Sequence, residues 1–116
     1  MSEFNPIKEI DRKELEEIIA REECPVLVVF HASWLATGSM LGDILARVSE
    51  EFEPTEMVFF QVDIDRSADT VEQYGITTLP TTLIFCEGEV IDHFTGVMNI
   101  NKLRERLHAL VGDNHS

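Results

Sequence analysis

The sequence predicts an α/β fold, a central β-sheet with helices on both faces. Three observations carry that prediction. "VLVVF" (Val26 to Phe30) is an unbroken, Val-rich apolar run, the pattern of a strand buried on both sides. Apolar stripes at helical spacing stand before and after it. "TTLIFC" and "EVIDHF" flank Glu87-Gly88, which reads as a hairpin with a tight turn.

In chain order, "FNPIKEI" offers an N-terminal edge strand that Pro6 restricts. Asp11 and Glu14 then form a D-x-x-E capping box, with Ile10 and Leu15 at the staple positions on either side. Leu15, Ile18 and Ile19 give the first helix its apolar stripe, and Pro25 closes that region before the Val26 strand. A second helix carries Leu41, Ile44, Leu45, Val48 and Phe52 on one face, with Glu50, Glu51 and Glu53 outside it. "MVFFQVDI" (Met57 to Ile64) is the next strand. A short helix spans Ser67 to Tyr74 and stops at Gly75, a natural residue to follow a helix end. After the hairpin, a last helix begins beyond Asn101, turns Leu103, Leu107, Leu110 and Val111 inward, and ends at Gly112. A parallel βαβ crossover between the Val26 and Met57 strands fits this order.

Composition bounds the function. A chain of 116 residues is expected to form a single domain, residues 1 to 116, and 44% hydrophobic with 27% charged residues is globular rather than disordered. No apolar run approaches 18 residues and the start is not basic-then-apolar, so neither a membrane span nor a signal peptide is expected and the cytoplasm is the default compartment. With 22 acidic and 9 basic residues the net charge is −13, a field that repels nucleic acid backbones. Solubility alone also accounts for such a charge. Cys24 and Cys86 are too few and too far apart in sequence for a disulfide scaffold or a zinc knuckle.

The residues also carry a resemblance. "VLVVFHASW" resembles the thioredoxin strand and its Trp, and "VDIDRSADTVEQYGITTLPTTLIFCEGEVIDHFTG" resembles the second half of a thioredoxin nearly end to end, with Thr78-Leu79-Pro80-Thr81 the most specific part. The resemblance covers about residues 4 to 111. It implies a thioredoxin fold, a central mixed sheet flanked by helices on both faces, with a cis Leu79-Pro80 bond beside the active-site loop; an X-Pro bond can adopt cis at modest cost. It breaks at the chemistry. Redox-active thioredoxins follow the Trp with Cys-Gly-Pro-Cys, whereas Trp34 is followed by Leu35-Ala36-Thr37-Gly38. Dithiol exchange needs an attacking thiolate and a resolving thiol, and neither residue type is present there. The family's buried Asp in the preceding strand is matched by Val29, so the acid is lost with the thiols. An engineered trap would show Cys replaced by Ser or Ala alone.

No catalytic residue, cofactor or metal site is expected. Cys24 and Cys86, if their strands run antiparallel as in thioredoxins, fall at the pole opposite Trp34 and could be neighbours there. His31, His93 and His108 lack ligand spacing. Asp63 and Asp65 could suggest a divalent cation, although a solvated strand end explains them. Thr37 and Ser39 have no base nearby in sequence, and capping explains them.

What remains is a surface. His31 through Gly42 and Tyr74 through Cys86 carry no formal charge. In a thioredoxin-like fold Trp34, Leu35, Ala36, Thr37, Ile76, Thr78, Leu79, Pro80 and Val97 converge on one apolar groove with an acidic surround. Such a patch suits a protein or peptide partner, one with a basic segment being drawn by the −13 field. Two functions therefore compete: a redox-inactive binding module (adaptor, chaperone or assembly factor), and a residual thiol-disulfide oxidoreductase of cell redox homeostasis. Read as a relic, the groove would instead pack against its own loop.

Overall fold

The computed structural model describes residues 7–23 and 25–114, with 36–39, 113 and 114 described by backbone alone. The elements run β1 (Lys8–Glu9), α1 (Arg12–Arg21), β2 (Val26–His31), α2 (Ala36–Ser49), β3 (Val58–Asp63), α3 (Asp69–Gln73), β4 (Thr81–Cys86), β5 (Glu89–Thr95) and α4 (Ile100–Asn114). They form one mixed 5-stranded sheet in the order β1-β3-β2-β4-β5. β1 and β2 both run parallel to β3, while β4 is antiparallel to β2 and to β5.

Strand β2 is central, and its alternating side chains feed two cores. Leu27 and Val29 join Leu41, Leu45 and Val48 of α2 with Leu103, Leu107 and Val111 of α4. Val26, Val28 and Phe30 join Leu15 and Ile18 of α1 with Ile76 and Phe85. Five consecutive residues, Val26 to Phe30, are each 1% exposed or less. A strand with helices against both faces has no polar side to show, which is why this run lacks alternation.

Local chemistry fixes the boundaries. At α1 the Asp11 carboxylate accepts the Glu14 N–H at 2.8 Å and the Glu14 carboxylate accepts the Asp11 N–H at 3.3 Å, completing the box. Ile10 and Leu15 are both buried in one cluster, as a staple requires. Gly75, at φ +65°, ends α3: its N–H donates to the Glu72 carbonyl and the Ile76 N–H to the Val71 carbonyl, the paired bonds of a Schellman turn. Glu87 and Gly88 both take positive φ, the two-residue hairpin geometry that matches strand twist.

Several boundaries differ from the sequence reading. α4 starts before Asn101, because Asn99 is its cap: the Asn99 Oδ1 accepts the Asn101 N–H at 2.9 Å and the Lys102 N–H at 3.3 Å. Gly112 does not stop that helix, which runs to Asn114. α2 ends at Ser49, and Phe52 reaches the core through the turn that follows. β1 is confined to Lys8–Glu9; Phe4, Asn5 and Pro6 lie outside the described residues.

Candidate functional site

The register brings four chain segments to one end of the sheet. His31, the last residue of β2, pairs with Asp63, the last of β3, and Phe30 pairs with Thr81, the first of β4. Thr81 in turn pairs with Thr95, the last of β5. The loops that leave these positions carry Trp34, Asp65, Thr78 to Pro80, and Gly96-Val97. Short bonds hold each of them. The Leu35 N–H donates to the Ala32 carbonyl at 3.0 Å and closes the Trp34 turn. The Ile64 N–H donates to the His31 carbonyl at 2.9 Å. The Leu79–Pro80 peptide is cis, the Thr81 hydroxyl donates to the Thr78 carbonyl, and the Gly96 N–H donates to the Pro80 carbonyl at 2.8 Å. Gly96 sits at φ +75°, where a side chain would be strained.

Exposure sorts the residues expected to line the groove. Trp34 is 66% exposed and Val97 39%. Thr78 is exposed, and Leu35 and Leu79 are half-buried. Ala36 and Thr37 lie in the first turn of α2, and their side chains are outside the described residues. Ile76, 7% exposed, and Pro80 are buried and offer little surface; Ile76 belongs to the core beside Phe30. Met40, a residue the sequence reading passed over, is 56% exposed on α2.

The site also holds a charge that sequence reasoning missed. The Trp34 indole N–H donates to the Asp65 carboxylate at 3.3 Å, near the long end of the range for such bonds. Asp65 is exposed, whereas Asp63 is only 7% exposed. The expected solvated strand end is thus half right. Asp63 turns inward because its carboxylate accepts the Asp65 N–H at 2.9 Å, while its carbonyl accepts the N–H groups of Arg66 and Ser67. One carboxylate builds the turn and the other is displayed by it. The parallel His31–Asp63 pairing was the available signal, since it places residue 65 beside the Trp34 loop. Among the described residues no group of three or more His, Cys, Asp or Glu side chains is placed to hold a metal ion.

The thiol chemistry lies elsewhere. Cys86 ends β4 at the opposite pole, where its Sγ contacts the Glu23 carbonyl at 3.6 Å. Burial, and then the neighbouring Glu87 charge, push its pKa up, away from the thiolate form that exchange requires. Cys24, the expected neighbour of Cys86, lies outside the described residues. Leu35 is the N-cap of α2 and makes no side-chain hydrogen bond there. Val29, 1% exposed in the α2–α4 core, fills with methyl groups the place where the resemblance expects an acid.

Residues 6–109 match the family model described as Thioredoxin. Among curated relatives, the chain is 31% identical over 102 residues to "Thioredoxin, mitochondrial" of Bos taurus, covering 88% of this chain and 61% of that protein. It is 32% identical over 93 residues to a thioredoxin of Rickettsia bellii, covering 80% and 88% respectively. The chain therefore spans about three-fifths of the length of the mitochondrial relatives it matches. A solved Plasmodium falciparum thioredoxin superposes with a TM-score of 0.79 at 27% identity, covering 89% of this chain and 98% of that one. Among the described residues no helix is long and apolar enough to cross a membrane.

Proposed function

Because the chain belongs to the thioredoxin family yet has Leu35 and Gly38 where the family's redox members carry thiols, we propose that it holds a polypeptide partner at the former active-site end without a covalent step. The observation that carries this reading is the 66% exposed Trp34, in a loop fixed by backbone bonds and followed by hydrocarbon rather than sulfur. Keeping a large indole in water has no value for folding, whereas aromatic residues of this kind anchor protein contacts. Val97, Leu79, Leu35 and Thr78 extend the surface, and the carbonyl and N–H groups around cis-Pro80 supply backbone hydrogen bonding to an extended chain. An adaptor, chaperone or assembly factor would work in this way, in the cytoplasm. The −13 charge favours a partner with a basic segment.

A second reading, a thiol-disulfide oxidoreductase, draws on the name thioredoxin given to the relatives. It would have to run through Cys86 or Cys24, with no thiol at the Trp34 loop. The binding reading is tested by affinity capture with the wild type, Trp34→Ala and Leu35→Arg. Proteins retained by the wild type and lost from both variants support it. Identical captures by all three would remove this end of the molecule as the binding surface.

A further inference from the structure

We infer that Trp34 and Asp65 together form a seat for one cationic side chain, an arginine or lysine, of the bound polypeptide; this rests on the groove reading above and specifies the partner's chemistry. Trp34 offers an exposed ring whose N–H is tied to the Asp65 carboxylate at 3.3 Å, so an aromatic face and a negative charge stand side by side. Asp65 is held by its own turn, through the bond from its N–H to Asp63 and the bonds from Arg66 and Ser67 that follow. No lysine, arginine or histidine among the described residues bridges to it. The adjacent cation, Arg66, reaches instead to Glu9 at 3.0 Å. The apolar walls offer no competing cation, since His31 to Gly42 and Tyr74 to Cys86 are free of formal charge.

Neither half of the pair suffices alone. An exposed indole accepts any apolar side chain, and a lone surface carboxylate contributes little in water. Side by side they select a group with a long aliphatic stem and a cationic head. The head lies against the indole face, where the ring quadrupole attracts it. Its N–H groups donate to the carboxylate oxygen that the indole leaves free. A guanidinium fits better than an ammonium, being planar and less strongly hydrated.

The test is an array of synthetic hexapeptides with apolar flanks and a central Arg, Lys, citrulline, norleucine or Glu, probed with the full chain. Arg peptides are expected to bind roughly fivefold to tenfold more tightly than their citrulline counterparts, which keep the shape and lose the charge. Asp65→Asn should bring Arg down to the citrulline level while norleucine peptides bind as before. Trp34→Phe, which keeps a ring but has no N–H for the carboxylate, should weaken the Arg preference as well. Glu105→Gln removes the same charge from α4 and should leave the preference intact. Equal binding of Arg and citrulline peptides to the wild type would overturn the cation seat and leave the groove standing. Retention of no peptide at all would overturn the groove reading, and the seat with it.

Discussion

Helices α1 and α2 begin in opposite ways. α1 starts with a reciprocal capping box and a buried staple, so its first N–H groups and its entry angle are both fixed. α2 starts at Leu35, extended at φ −105° and ψ 116°, whose own side chain makes no capping hydrogen bond, with the exposed Trp34 just before it. An N-cap of Ser, Thr, Asp or Asn typically stabilises a helix by about 1 kcal/mol over an apolar residue. The chain uses that device where the helix only has to fold and omits it where the helix meets solvent at the candidate site. The binding surface proposed above would account for the omission, since Leu35 keeps an apolar side chain beside Trp34.

The largest contrast is expected from the residues flanking the two starts. Leu15→Ala removes a fully buried staple residue and should lower stability by about 2–5 kcal/mol in denaturant unfolding. Trp34→Ala, exposed as it is, should stay within about 0.5 kcal/mol of the wild type. A large loss from Trp34→Ala would mean that the indole is a structural element and the contrast is false.

Next come the caps themselves. Asp11→Ala should destabilise by about 1 kcal/mol. Leu35→Asp should do the reverse, stabilising by roughly 0.5–1 kcal/mol, because the backbone at 35 already has cap geometry and a negative charge suits a helix N-terminus. Thermal melts of both variants sharpen the comparison. If Leu35→Asp both stabilises the fold and abolishes partner capture, stability was given up at this position for binding.

The smallest effect concerns acid. Asp92 is held below the usual carboxylate range, chiefly by its hydrogen bonds from Arg106, and Arg106 also lies 5.6 Å over the Phe94 ring. A carboxylate whose pKa is lowered by folding stabilises the fold above its unfolded value, and that contribution is lost as pH falls through the folded one. Arg106→Met should therefore move the acid-unfolding midpoint, followed by circular dichroism, to higher pH. At neutral pH it should remove less than about 1 kcal/mol. An unmoved midpoint would show that this β5–α4 contact plays no part in acid stability.

Much of the fold was legible because local chemistry specifies it. The apolar run at Val26 needs two covered faces, Asp11 and Glu14 need each other, and Gly75 and Glu87-Gly88 need positive φ. The start of α4 was not legible in the same way. The sequence reading begins the last helix beyond Asn101, whereas Asn99 caps it two residues earlier, its Oδ1 accepting the Asn101 and Lys102 N–H groups. The candidate site was legible only in outline. Trp34 and Val97 stand exposed, but Ile76 and Pro80 are inside, since a stretch without charge can be core as readily as surface. The place of Asp65 beside Trp34 was not legible because the two are 31 residues apart, and only the parallel register of β2 with β3 brings them together.

The central proposal is that this thioredoxin-family chain works without thiol-disulfide exchange, and reduction of insulin disulfides with a thioredoxin-reducing system tests it most directly. The wild type is predicted to run at the background rate, and Cys24→Ser and Cys86→Ser to leave that rate unchanged. Turnover above background that disappears in either serine variant would contradict the account.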